Sequence, residues 1–179
     1  PASLVYNWGE EIRNYTPELT CGFITGTQEE RRQRLEQYQD FDVLVTSYDL
    51  LKRDIEFYED KEFHYQVIDE AQYIKNHTTA AAKAVKVVKS RIRYALTGTP
   101  IENRLSELWS IFDFLIPGYL YGYDVFRNEF EAPIVRNEDQ RALERLQRMT
   151  SPFILRRMKE NVLKDLPEKL EENRYVRFE

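Results

Sequence analysis

Tyr65-Gln66-Val67-Ile68-Asp69-Glu70-Ala71-Gln72 is an apolar-leaning run that stops abruptly at two adjacent carboxylates. Its first half reads as a buried strand, and Ala71-Gln72 opens residues compatible with a helix. Open α/β sheets place their ligands at the C-terminal ends of strands. At such an end one carboxylate can hold Mg²⁺, directly or through water, while its neighbour orients or activates a water. The same residues also read as a strand ending in an acidic turn, with both carboxylates favouring the positive end of the next helix. A four-residue motif does not choose between these readings, so the rest of the chain must.

The elements on either side point to an α/β fold. Upstream, Ser3-Leu4-Val5-Tyr6 suggests a short strand, and Asn7 a cap for a helix whose apolar face is Trp8, Ile12 and Tyr15. Thr16-Pro17 breaks that helix, and Cys21-Gly22-Phe23-Ile24-Thr25 is a second strand. Thr27 with Glu30 three residues on is a capping-box pattern opening a charged helix to about Tyr38, whose Glu and Arg residues read as a solvated face. Phe41 to Thr46 is a third strand, followed by Ser47-Tyr48-Asp49 and a helix with Leu50, Leu51, Ile55 and Tyr58. The acidic stretch ends the fourth strand. Asn76 or Thr78 then caps an Ala-rich helix with Ala81, Ala84, Val85 and Val88 on its packing face and Lys83, Lys86 and Lys89 on another. Tyr94-Ala95-Leu96-Thr97 is a fifth strand. Strands alternating with helices imply βαβ units and a mostly parallel sheet covered on both faces.

After Pro100 the pattern becomes helical. Thr99, Pro100 and Glu102 supply a cap, a first-turn proline and a capping-box acid, and Leu105, Leu108, Trp109, Phe112 and Leu115 carry an apolar stripe to Ile116-Pro117-Gly118. Tyr119 to Tyr123 is an aromatic turn. Helices are expected near 124–130 and 138–149 before Ser151-Pro152 breaks the chain, and Arg174 to Phe178 alternates like a strand.

Composition narrows the function classes. The 179 residues suit one domain of ordinary size, and 42% hydrophobic with 32% charged residues is a globular balance. No apolar run reaches the length of a membrane span, and Pro1-Ala2-Ser3 lacks a basic leader. The single Cys21 makes no internal disulfide, which fits a reducing intracellular setting. With only His64 and His77 beside it, there is neither zinc-site spacing nor support for a nucleophilic triad. A net charge of −5 argues against a simple basic nucleic-acid module, although local lysines and arginines still allow a phosphate track.

A second motif sharpens the first. Leu96-Thr97-Gly98-Thr99-Pro100 ends the fifth strand one crossover after the acidic pair. Parallel strands joined by one right-handed crossover are commonly neighbours, so Thr97 and Thr99 are expected at the same sheet edge, within reach of Glu70 or Gln72. By itself it also reads as good helix-capping chemistry after a strand.

With both motifs in this order, the chain resembles the SWI/SNF-type ATPases of helicase superfamily two, over nearly its whole length. Pro1-Ala2-Ser3-Leu4 with Asn7-Trp8 and Glu11 is similar to that family's motif Ia, and Val43 to Tyr48 to the motif that follows. Asp69-Glu70-Ala71-Gln72 fits motif II and Leu96 to Pro100 motif III. Asn103 with Leu105 to Trp109, Phe112 to Gly118, Pro152 to Lys159 and Leu166 to Lys169 resemble segments specific to the family. The resemblance implies an ATP-driven motor translocating on double-stranded DNA, with ATP and Mg²⁺ held between two RecA-like lobes. Asp69 would bind Mg²⁺, and Glu70 would position the hydrolytic water. Gln72, Thr97, Gly98 and Thr99 would couple nucleotide state to lobe movement. Ser3, Trp8, Thr46, Ser47 and Tyr48 would lie on the DNA-facing side. Residues 1–115 would form a partial RecA-like lobe, 116–150 a helical protrusion, and 151–179 a helical or extended segment leading to the second lobe. Two alternatives remain: another superfamily-two DNA motor, and a non-catalytic interaction module.

A phosphate-binding loop needs glycine backbone N–H groups and a lysine that reaches the phosphates. None of the six glycines here is followed by Lys. In the resembled family that loop precedes motif Ia. With no initiator Met, Pro1 is expected to be a cut point, and the chain alone is expected to bind ATP poorly and not to turn it over. Without the loop's strand, Tyr94–Thr97 is expected to expose a sheet edge prone to self-association.

Overall fold

The computed structural model describes residues 4–98 and 104–157. Helix α1 is Val5–Tyr15, β1 Cys21–Phe23, α2 Gln28–Glu36, β2 Val43–Val45 and α3 Tyr48–Arg53. Strand β3 is Glu62–Ile68, α4 Ala80–Val87, β4 Lys89–Ala95 and α5 Leu105–Leu115. Helices α6 (Tyr123–Phe126) and α7 (Ala132–Asn137) are joined through a π-helical turn, Arg127–Glu131, and α8 is Gln140–Thr150.

The strands form two parallel pairs, β1 with β2 and β3 with β4, instead of one five-stranded ladder. Cys21 sits opposite Val43, and Ile68 opposite Ala95. The pairs are joined by packing: Ile24 beyond β1, Leu44 of β2 and Ile68 of β3 share one apolar cluster with Ile74, Val85, Ile111 and Phe114. A second cluster holds Leu108, Trp109, Phe112, Leu120, Phe126, Phe130 and Leu146. Helix α5 feeds both, because Ile111 and Phe114 leave it on one side and Leu108, Trp109 and Phe112 on the other.

Several expectations are corrected. The first strand is absent: Leu4 is already in helical backbone and α1 starts at Val5, so neither that strand nor the Asn7 cap forms. The helical period wins because Val5 and Gly9, four residues apart, are the buried positions, while Tyr15 is exposed. Gly9 is needed there, since a Cβ would stand 2.2 Å from Cζ of the Phe23 ring. The Ala-rich helix is capped by Thr79, which accepts from the Ala82 N–H, and it buries Ala82 where Ala81 was expected. Asn76 instead closes a turn by accepting from the Thr78 N–H and hydroxyl. The lysine stripe dissolves, because Lys89 begins β4 and Lys86 pairs with Asp113 beneath the Trp109 ring. The last strand starts five residues earlier than Tyr94. The helix expected near 124–130 continues through its π-turn to Asn137. The Thr99-Pro100-Glu102 cap lies outside the described residues, as do the segments beyond Arg157.

The capping box at Thr27 forms as read, with Glu30 Oε2 accepting from the Thr27 N–H at 2.7 Å and Thr27 Oγ1 accepting from the Glu30 N–H. These Thr27 bonds hold the Glu30 carboxyl below the usual glutamate range. The rest of α2 is not wholly solvated. Arg31 is buried and makes a two-pronged ion pair with the fully buried Asp54, its Nε 2.5 Å from Oδ2 and its Nη2 2.8 Å from Oδ1. Arg31 Nη1 also donates to the Gly26 carbonyl. Asp54 is where α3 ends and a 3₁₀ turn, Ile55–Tyr58, begins, so this pair ties α2 to the end of α3.

One face of the β3–β4 sheet is uncovered. Tyr65, Val67 and Tyr94 are 56%, 53% and 51% exposed, with Ile92 and Leu96 beside them. Parallel sheets are ordinarily covered on both faces. Among the described residues no strand pairs with the far edge of β4.

Candidate nucleotide-response site

The acidic pair stands at the C-terminal end of β3, beside the end of β4. Pairing continues past the strands: the Leu96 N–H donates to the Ile68 carbonyl and the Ala71 N–H donates to the Leu96 carbonyl, each at 2.8 Å. Those two bonds place the motif around Asp69 and the motif around Thr97 side by side, as their order in the chain suggests.

Both oxygens of Asp69 are engaged. Oδ1 accepts from the Glu70 N–H at 2.8 Å, and Oδ2 accepts from Nε1–H of Trp8 at 3.0 Å. The Asp69 carbonyl accepts from the Tyr48 hydroxyl at 2.9 Å. Glu70 adopts left-handed backbone, φ 52° and ψ 54°, which costs a non-glycine residue about 1 kcal/mol and is characteristic of functional turns. The 3₁₀ turn Ala71–Ile74 follows, and buried Ser110 of α5 donates to its Ile74 carbonyl at 2.5 Å. Helix α5 is thereby fastened to the turn that follows the acidic pair.

A relay connects the two motifs. The Thr97 hydroxyl donates to Gln72 Oε1 at 3.1 Å, and Gln72 Nε2 donates to Glu70 Oε2 at 2.5 Å. Each donor–acceptor direction is consistent with the next, so the amide's orientation is set by its two neighbours. Gly98 follows in a bend, and a Cβ there would meet nothing within 4 Å. Thr99 lies outside the described residues.

Four of the residues expected near the DNA-facing side, Trp8, Thr46, Ser47 and Tyr48, also make hydrogen bonds within the chain. Thr46 Oγ1 donates to the Ile24 carbonyl, and buried Ser47 caps α3 by accepting from the Leu50 N–H. Tyr48 reaches Asp69 and stacks on Tyr73 with ring centroids 5.3 Å apart. Burial, followed by the negative charges of Asp69 and Glu70, pushes the Tyr48 hydroxyl far above the usual tyrosine range, so it stays a neutral donor. Trp8 points at Asp69. Ser3 lies outside the described residues. Sequence reading did not find Ser110, Tyr73 or the Trp8–Asp69 contact, because each is a pairing across many residues with no local signature.

The donor set fits Mg²⁺ brought in with a nucleotide. Among the described residues no group of three His, Cys, Asp or Glu side chains could cage a metal. Mg²⁺ keeps several waters and takes one or two carboxylates plus substrate phosphates, which suits a lone Asp69 with open lone pairs.

A model of the SNF2-related domain matches residues 1–179. The chain is 43% identical over 176 residues to the uncharacterized ATP-dependent helicase MG018 of Mycoplasma genitalium, covering 98% of this chain and 17% of that protein. It is 39% identical over 186 residues to TATA-binding protein-associated factor MOT1 of Saccharomyces cerevisiae, covering 98% of this chain and 10% of that one. The chain therefore spans between a sixth and a tenth of the length of these relatives. A solved Sulfolobus solfataricus SWI2/SNF2 ATPase core in complex with dsDNA matches at TM-score 0.82 and 44% identity, over 93% of this chain and 35% of that chain. A second solved structure, the Sulfolobus solfataricus SWI2/SNF2 ATPase core domain, matches at TM-score 0.77 and 43% identity, over 93% of this chain and 34% of that chain. At that similarity the fold is α/β and RecA-like, as the alternation of strands and helices suggests. With the family model matched from residue 1 to residue 179 and two solved cores agreeing, the chain belongs to the SNF2-related domain family.

Proposed function

We propose that this chain is part of the first lobe of an ATP-driven motor that translocates on double-stranded DNA and remodels protein–DNA complexes. The observation that carries the reading is the Thr97–Gln72–Glu70 relay across the ends of paired β4 and β3. It gives the water-positioning carboxylate a direct mechanical link to the strand end that leads towards the lobe interface. The bound ion, held by Asp69, would neutralise charge on the transferring phosphate. Glu70 orients the attacking water, and Gln72 senses Glu70 while Thr97, Gly98 and Thr99 pass the change onward. The segments around Ser3 and Trp8 and around Thr46 to Tyr48 face the duplex, where phosphate contacts give affinity with little base readout. Residues 1–115 are the lobe, 116–150 its helical protrusion and 151–179 the lead to the second lobe. The DNA-bound Sulfolobus core supports duplex DNA as partner. A motor of this kind works where DNA is kept, in the nucleoid or nucleus, and no helix among the described residues is long and apolar enough to cross a membrane.

The test compares ATP turnover, with and without duplex DNA, by this chain and by a longer polypeptide that adds the phosphate loop and the second lobe. DNA-stimulated turnover in the longer form and none in the shorter supports the reading. A longer form with an intact loop and both lobes that never hydrolyses ATP overturns it in favour of a non-catalytic interaction module.

The uncovered face and edge of β3–β4 make a further outcome measurable. The chain alone is expected to self-associate through that edge as concentration rises, seen as growing mass by sedimentation velocity, because unpaired strand edges with apolar side chains recruit further strands. A monomer that persists at high concentration removes the idea.

A further inference from the structure

Asp69 is held from two sides by aromatic residues that lie 61 and 21 positions upstream, Trp8 on its carboxylate and Tyr48 on its carbonyl. The Trp8 contact has a specific chemical character. An indole N–H donates only; it neither accepts nor titrates, so its effect on a carboxylate has one sign. With the Glu70 N–H on Oδ1 and Trp8 on Oδ2, the plane of the carboxylate is fixed, and each oxygen keeps a lone pair for a further partner. Mg²⁺ is the cation for which this matters most, since it demands near-octahedral geometry and takes few protein ligands.

The arm that carries Trp8 is itself well placed. Val5 is buried, and the backbone at Gly9 lies against the Phe23 ring. Tyr6 packs on that same ring with centroids 5.2 Å apart, and its hydroxyl is 3.2 Å from Thr25 Oγ1. Helix α1 is thus seated on β1, and Trp8 crosses from it to the end of β3. The indole remains 36% exposed, so the contact is not a core tie whose first task is stability.

We propose that Trp8 is a positioning residue for Asp69, orienting the carboxylate for Mg²⁺ and joining α1 to the metal site by a single hydrogen bond. The inference rests on Asp69 being the metal carboxylate. It goes beyond a DNA-facing role for Trp8, because it makes movement of α1 a way of changing metal affinity.

The experiment uses the full protein carrying this domain, with its phosphate loop and both lobes, and needs no turnover. Binding of a fluorescent ATP analogue is titrated with Mg²⁺, and affinity for a labelled duplex is measured without nucleotide. Trp8→Phe keeps a ring and loses the donor; in the absence of DNA it is expected to raise the half-saturating Mg²⁺ concentration about tenfold, the lower end for loss of a ligand-orienting contact. Unchanged Mg²⁺ dependence overturns the proposal. Weakened duplex binding with unchanged Mg²⁺ dependence overturns it too, and makes Trp8 a DNA contact. If Trp8→Phe lowers the thermal midpoint markedly, benzothienylalanine at position 8, which keeps the bicyclic shape and replaces the N–H with sulfur, is measured in its place. Asp69→Asn serves as the reference: if it leaves Mg²⁺ dependence intact, the assignment of Asp69 fails, and the Trp8 proposal with it. If Asp69→Asn removes the dependence and Trp8→Phe does not, only the Trp8 proposal fails.

Discussion

In the longer polypeptide, Glu70→Gln is expected to lower the DNA-stimulated kcat by about 10²–10⁴-fold while nucleotide and duplex binding persist, the range for removing a general base or water-orienting group. That loss corresponds to roughly 3–5 kcal/mol of transition-state stabilisation. The substitution isolates chemistry from structure for two reasons visible in the site. Gln is nearly the same shape, and its amide oxygen can still accept from Gln72 Nε2, so the Thr97–Gln72 half of the relay keeps its partner. Its backbone cost in the left-handed region is also that of Glu, so the turn at φ 52° is neither relaxed nor further strained. The check is single-turnover hydrolysis alongside equilibrium nucleotide binding. A kcat within about tenfold of the unsubstituted enzyme would place the water-positioning role elsewhere. Loss of nucleotide binding together with kcat would instead mean that Glu70 supports the site's structure.

The second large effect is on stability and lies away from the site. Asp54→Asn is expected to cost about 3–5 kcal/mol, because it leaves the Arg31 guanidinium buried without its counter-charge. Arg31 is 5% exposed and Asp54 fully buried, so water cannot replace the lost partner. A guanidinium is not deprotonated in a protein, so neutralising the arginine by proton loss is no escape. A domain of this size is stable by only about 5–15 kcal/mol, so one substitution removes a large share of the total. Urea unfolding of the chain measures it as a fall in midpoint at constant slope. Replacing both residues together, Arg31→Met with Asp54→Leu, is expected to recover most of the loss, since well-packed apolar pairs often match a buried ion pair. A single Asp54→Asn that costs under about 1 kcal/mol would show that the pair is solvated in solution.

By itself, the sequence determined what is local or periodic. The strand ending in Asp69-Glu70, the strand ending near Thr97, the capping box at Thr27 and the α5 stripe from Leu105 to Leu115 all depend on residues within one or two turns of each other. Such short-range chemistry is written in order along the chain. The two motifs, with the segments around Trp8 and Val43 to Tyr48 and those after Pro100, carried the family resemblance, and the alternation of strands and helices carried the α/β class. Tertiary structure decided everything that depends on pairings across long separations. It put Leu4 in helical backbone and Val5 and Tyr6 in α1 where a strand was expected, since burial of Val5 and Gly9 outweighs a short apolar run. It made Arg31, which looks like one more solvated charge, the buried partner of Asp54. It gave Trp8, Thr46, Ser47 and Tyr48 hydrogen-bond partners in Asp69, Ile24 and Leu50 that no local pattern announces. And it joined Thr97 to Gln72 and Gln72 to Glu70, a link the sequence suggested only as proximity. Side-chain direction and hydrogen-bond choice depend on which elements meet, and that is fixed only once the whole core has closed.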